Sequence, residues 1–259
     1  MRFVYKLKQV EFDYGSKRFL LLHDEYKPHT PTRMKVYDFK TLFNFDVPKE
    51  ADGAEKIPRE TDFPTLVPGE KNPVKTSTRA LWYVDNQSFF IATTDGTLIH
   101  YDMRGEVIAK GVIHEGVKIN SIAFSKNFAV LATAADNGSK IIDPETFEVL
   151  RYFKQELPMN AVSISPLFCA DYRPKFHTVM GGGVSAIMAA MTAGNAGFEA
   201  HVCNVLHGNE VGKISGHYGP INSIEFFRDG RGFISGGEEG IIRIVRFAAE
   251  YFEENNPQF

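Results

Sequence analysis

Residues 215–247 read S-G-H-Y-G-P-I-N-S-I-E-F-F-R-D-G-R-G-F-I-S-G-G-E-E-G-I-I-R-I-V-R-F. A Gly-His pair opens this stretch, and three short apolar runs of strand length follow, separated by turn signals such as Asp229-Gly230. That is the signature of one blade of a β-propeller, a four-stranded sheet within a repeat of about 40 to 45 residues that opens on Gly-His and closes near a Trp-Asp position. A single blade leaves both faces wet, so further copies are expected earlier in the chain.

Working back from it, the same pattern recurs. Asn160-Ala161-Val162-Ser163-Ile164 opens a unit over 158–206, and Ile119-Asn120-Ser121-Ile122 opens another over 114–150. Arg79-Ala80-Leu81-Trp82 opens a third over 75–107, in which Thr94-Asp95-Gly96-Thr97 is a tight hairpin turn, because Gly accepts the positive φ the turn demands. A first unit over 3–43 carries strands at Gln9–Phe12, Phe19–Leu22 and Met34–Phe39. Ala80 to Ile122 is 42 residues and Ile122 to Val162 is 40, both within blade length. Val162 to Ile224 is 62, so an insertion is expected, placed at 184–197. A second insertion, 44–73, holds Pro48, Pro58, Pro64, Pro68 and Pro73 and reads as a surface excursion. The expected organisation is an all-β, single propeller domain over 1–247 with blades at 3–43, 75–107, 114–150, 158–206 and 215–247, and a C-terminal tail over 248–259.

Composition bounds the function. With 43% apolar and 24% charged residues in 259, the chain can bury a sizeable core. A net charge of -3 gives no basic field to draw it to nucleic acid or anionic membrane. Cys169 and Cys203 form no pairing motif and the first ten residues hold no continuous apolar run, which together point to a reducing, cytoplasmic location. Residues 177–198 lack Asp, Glu, Lys and Arg but are rich in Gly, Ala and Thr, so they read as a strand and loop and not as a membrane span.

No His-Glu-x-x-His, Gly-x-Ser-x-Gly, Cys-x-x-Cys or Gly-x-Gly-x-x-Gly occurs, so no catalytic, cofactor-binding or metal residues are expected. Gly181-Gly182-Gly183 lacks the Gly-Lys-Ser/Thr of a phosphate loop and reads as a strained turn or bulge. His114 and His217 each precede an Ile-Asn-Ser-Ile run, which makes them a matched pair in the repeat. Each is expected to hydrogen-bond inside its blade: His217 with Ser235 and with Glu238 or Glu239 in the turn before Gly240, His114 with Asp136. A Ser, His and carboxylate that recur with a repeat are expected to satisfy one another and not to turn over substrate.

These residues resemble the WD40-repeat family of subunit i of eukaryotic translation initiation factor 3. The resemblance rests on Gly216 to Ile224, Asp229-Gly230, Ser235 to Glu238, Gly240, Arg243-Ile244 and Tyr251-Phe252-Glu253, and on the irregular fourth unit, where Gly181-Gly182-Gly183 precedes Phe198-Glu199-Ala200. Tyr101 and Ile142 stand at Trp positions, and Glu replaces Asp near the last turn. The loop at 188–195 has lost most of the family's hydroxyl residues. The resemblance implies a WD40-type ring of seven blades, of which about five are recognisable, with the first two and the N-terminal strand that closes the last blade missing; truncation is the expectation. It further implies a non-catalytic scaffold that works through other subunits of the factor and, within the complex, the small ribosomal subunit, with no membrane and no sequence-specific nucleic acid contact. The alternative is an adaptor similar to the kinase-receptor-associated WD40 scaffold, serving signalling or ribonucleoprotein assembly.

Overall fold

A computed structural model describes residues 6–24, 33–40, 77–171, 174–185 and 197–253. The chain divides into two compact units, one of residues 1–94 and 98–111, the other of 95–97 and 112–259. Among the described residues the strands form five antiparallel sheets, each laid down in chain order. None of their helices is long and apolar enough to cross a membrane.

The first unit holds a sheet of β1 (Lys6–Phe12), β2 (Arg18–Asp24) and β3 (Arg33–Asp38), and one of β4 (Ser77–Trp82), β5 (Ser88–Thr93), β6 (Thr97–Asp102) and β7 (Val107–Val112), whose strands β6 and β7 each end on a residue counted with the second unit. Leu20, Leu22, Met34 and Val36 pack on Ala80, Trp82, Phe89, Ile91 and Tyr101 to form its core. Gln9 binds the adjoining first strand as a backbone would: its Nε2 donates to Ala80 C=O and its Oε1 accepts from Ala80 N–H, both at 2.8 Å.

The second unit holds β8 (Ile119–Phe124), β9 (Leu131–Ala135), β10 (Gly138–Ile142) and β11 (Val149–Lys154); then β12 (Met159–Ile164), β13 (His177–Gly182), β14 (Ala200–Asn204) and β15 (Asn209–Ile214); and last β16 (Ile221–Phe226), β17 (Gly232–Gly237) and β18 (Ile242–Arg246). Two cores bind them face to face. Ala132, Ala134, Ile141 and Phe153 meet Met159, Val162, Ile164 and Met180. Ala161, Val179, Ala200 and Val202 meet Ile221, Ile224, Phe226 and Phe233.

Ala80, Ile122, Val162 and Ile224, the residues that set the repeat spacing, each take the fourth place of a first strand. The register also repeats a defect. In all five sheets the pairing of the first two strands skips one residue near the start: Lys8, Thr78, Asn120, Asn160 and Asn222. Such a bulge re-aims the extra side chain. Three of these side chains reach the next first strand: Lys8 Nζ donates to Ser77 C=O at 2.9 Å, Asn120 Nδ2 to Met159 C=O at 3.0 Å and Asn160 Nδ2 to Asn222 Oδ1 at 3.2 Å.

The Gly triplet is not a free turn. Gly181 and Gly182 belong to β13 and lie opposite the bulge, where a Cβ on Gly182 would fall 1.9 Å from Pro158 C=O and one on Gly181 2.8 Å from the Ile221 side chain. Glycine is needed there for close approach of neighbouring backbone and side chain; Gly183, just beyond the strand, has φ +117°.

Three of the ranges read as blades stop short of their sheets. Those given as 75–107, 114–150 and 158–206 omit most or all of β7, β11 and β15, outer strands that are largely solvent-exposed and whose apolar residues are interrupted by charged residues and glycine. The insertion at 44–73 lies outside the described residues, as does most of that at 184–197. Of the tail at 248–259, Ala249–Phe252 forms a short 3-10 helix and residues 254–259 lie outside the description.

Trp82 is the only tryptophan, so its fluorescence reports on the first unit. Phe89, fully buried against it, should cost roughly 3–5 kcal/mol on truncation to Ala. Urea unfolding followed at Trp82 should show this as a lower midpoint with the slope retained.

Candidate functional site

Two buried histidines of the second unit, His114 and His217, each stand just before a first strand. His217 is held with Nε2 2.8 Å from Ser235 Oγ on β17 and Nδ1 2.5 Å from Glu239 Oε1 in the turn to β18. A carboxylate only accepts, so Nδ1 carries its proton toward Glu239. Tyr218 N–H donates to the same oxygen at 3.4 Å. Burial alone would raise the Glu239 pKa; the bonds from His217 and from backbone N–H outweigh it, and the group lies below its ordinary value. Gly240 follows with φ +79°, the left-handed turn that returns the chain to β18.

His114 is completely buried and repeats this arrangement. Its Nε2 lies 2.8 Å from Thr133 Oγ1 on β9, and its Nδ1 lies 2.6 Å from Asn137 Oδ1 in the following turn. Ile113 N–H and His114 N–H both bond Gly96 C=O. Burial lowers the imidazole pKa from 6.5 to about 4; the Asn137 bond opposes this and Lys140 adds to it. The ring is therefore neutral, donating from Nδ1 to the amide oxygen and accepting the Thr133 hydroxyl proton at Nε2.

Asp136, expected beside His114, is not its partner. The turn presents the next residue, Asn137, to the ring, while Asp136 Oδ1 accepts from the bulge residue Asn120 at 2.7 Å. Asp136 thus orients the amide that grips Met159 C=O. Around His217 the structure brings together Ser235 and Glu239; Glu238 makes no hydrogen bond to the ring.

Thr133, Asn137 and Gly237 complete these sites, although no motif in the sequence marks them. Thr133 lies two residues before Ala135 as Ser235 lies two before Gly237, so alignment of the units would find it. A Cβ on Gly237 would stand 2.6 Å from His217 Nδ1 and 2.0 Å from Glu239 Oε2.

A third histidine ties the tail down. His177, also fully buried, has Nδ1 2.8 Å from Tyr251 Oη, and Tyr251 stacks on Phe247 at 4.3 Å. Burial, with Lys175 and His207 nearby, lowers the His177 pKa to about 4. Both cysteines are free thiols. Among the described residues no cluster of His, Cys, Asp or Glu could hold a metal ion.

Replacing His217 by Ala strands Ser235 and Glu239 in a buried site and should cost roughly 2–3 kcal/mol in denaturant unfolding. Because His114 and His177 bind their proton more weakly folded than unfolded, the unfolded chain takes up protons first as the pH falls from 6.5 toward about 4. Their contribution to stability is complete above 6.5 and is lost across that window, with a limiting slope of about 1.4 kcal/mol per pH unit for each ring. Urea unfolding between pH 7.5 and 4.5 should show the loss, and His177→Phe should flatten it.

Residues 208–245 match the family described as "WD domain, G-beta repeat". The chain is 34% identical over 180 residues to eukaryotic translation initiation factor 3 subunit I of Drosophila willistoni, covering 68% of this chain and 53% of the relative. To the human subunit I it is 30% identical over 246 residues, covering 93% of this chain and 68% of the relative. The Dictyostelium discoideum subunit I is 28% identical over 248 residues, covering 95% and 67%. The chain thus spans about half the length of the Drosophila relative and two thirds of the human one. On this similarity, carried along nearly its whole length, the chain belongs to the family of eukaryotic translation initiation factor 3 subunit I, a family of WD40 β-propellers.

Proposed function

We propose that this protein is a non-catalytic scaffold subunit of eukaryotic translation initiation factor 3, acting in the cytoplasm through protein contacts within the factor and, within that complex, with the small ribosomal subunit. The observation that carries this reading is similarity to the human subunit I over 93% of the chain. The geometry of the histidines supports the non-catalytic part. Ser235, His217 and Glu239 have the spacing of a hydrolytic trio. Yet the same construction stands around His114 with an amide, Asn137, where the carboxylate would be. One site carries a carboxylate and the other an amide in the same place, and what the two have in common is the bracing of a sheet. The Ser235 and Thr133 hydroxyls are both buried.

The test is affinity capture of the tagged chain from cells of its source, followed by sedimentation through sucrose. Subunits of initiation factor 3 should co-purify in near-stoichiometric amounts and part of the chain should travel with small ribosomal subunits. Recovery with kinase or ribonucleoprotein-assembly proteins, and none of the initiation factor, would overturn the reading.

A further inference from the structure

Only one asparagine of the sequence is followed by glycine: Asn137-Gly138, where the turn after β9 enters β10. Such a dipeptide is chemically labile, because glycine has no side chain to keep its backbone nitrogen away from the asparagine Cγ. In the reaction the glycine nitrogen bonds to Cγ, the Cγ–Nδ2 bond breaks, and ammonia leaves with the glycine amide proton. Water then opens the cyclic imide at either carbonyl and leaves aspartate or isoaspartate.

The fold holds this dipeptide from several sides. Asn137 Oδ1 lies 2.6 Å from His114 Nδ1, and Asn137 C=O accepts from the Tyr152 hydroxyl at 2.9 Å and from Gln155 N–H at 3.2 Å. Just before it, Asp136 N–H donates to Lys118 C=O at 3.2 Å and the Asp136 side chain accepts from Asn120. Gly138 pairs with Ala135 on one side and with Lys154 on the other. A Cβ on Gly138 would press on Phe153 C=O and stand 2.8 Å from Gln155 N, so β11 closes over it. Imide formation needs the Asn137 side chain to swing back over its own backbone while the Gly138 nitrogen turns to meet it. The His114 bond opposes the first movement and β11 the second. Asp136 is exposed and Asn137 half-buried, so water reaches the turn, and it is the geometry of ring closure that is denied.

We propose that Asn137 is a modification site: its side-chain amide is lost by ring closure on Gly138 when the β9–β10 hairpin opens, and the His114 bond and β11 hold the reaction back while the sheet is formed. Aspartate there would set a carboxylate beside His114, as Glu239 stands beside His217. Isoaspartate adds a carbon to the main chain of the turn, which then no longer brings the Asn137 carbonyl to Tyr152 and Gln155. Either product marks a chain whose sheet β8–β11 has been open, whichever assembly it serves.

The test follows the purified chain at neutral pH and 37 °C by mass spectrometry of tryptic peptide 127–140, whose fragment ions separate Asn137 from Asn127. Conversion should be at least about tenfold slower in the folded chain than in guanidinium chloride, because it passes through the open hairpin. His114→Phe in the folded chain should speed it by about threefold or more, while His217→Phe, which acts on another sheet, should leave it within about twofold. Methylation by an isoaspartyl methyltransferase should detect isoaspartate, which direct hydrolysis of the amide does not form. Equal rates in folded and unfolded chain overturn the proposal, as does equal acceleration by the two histidine variants or a product that is aspartate alone. Should His114→Phe fail to fold, Tyr152→Phe takes its place, since it removes one bond from the Asn137 carbonyl at an exposed position: a faster reaction supports the proposal and an unchanged one overturns it.

Discussion

An imidazole placed under a sheet must find a partner for each ring nitrogen, because a buried polar atom left alone costs about as much as several good contacts return. At His114 and His217 this demand links three pieces of chain: the segment ahead of a first strand, the second strand and the turn after it. The turn is thereby drawn under the histidine, and the strand that follows is laid down in register. At His114 burial keeps the ring neutral, and the Asn137 amide oxygen fixes which nitrogen donates. At His217 a carboxylate fixes it instead.

Much of this is legible in the chain because the repeat makes the same statement several times. The first strands appear at Ile119–Phe124, Met159–Ile164 and Ile221–Phe226, where apolar side chains bracket an Asn or Ser, and their spacing gives the order of the sheets. His217 and Ser235 can be paired by offset, which leaves Glu238 and Glu239 as alternatives for the turn; the structure selects Glu239. The His114 partner lies one residue beyond the expected Asp136, because Asp136 and Asn137 are both good turn residues; which one faces the ring depends on Gly138, whose φ of +123° shapes the return of the hairpin. The outer strands are not legible. In β15, Asn209–Ile214, no residue is fully buried, and pairing with β14 is a backbone matter that composition does not record.

Close approach explains the small residues that a motif search misreads. Opposite the skipped residue the partner strand carries Ala92, Ala134, Gly181 and Gly236 in four of the five sheets, and Leu22 in the first. The extra residue crowds the backbone there, and larger side chains would meet the neighbouring sheet, as Gly181 would meet Ile221. A glycine run in β13 is thus the footprint of a neighbour and not of a phosphate.

The skipped residues at the head of the first strands have a consequence for how such a chain can lengthen. Lys8, Asn120 and Asn160 each reach forward to the next first strand; Lys8 and Asn120 use a backbone carbonyl that any copy of the unit would offer, and Asn160 the side chain of Asn222. A stretch of gene duplicated in tandem would therefore encode its own means of attachment, with no need for a new interface to evolve beforehand. Selection could then act on the number of units separately from the contents of each.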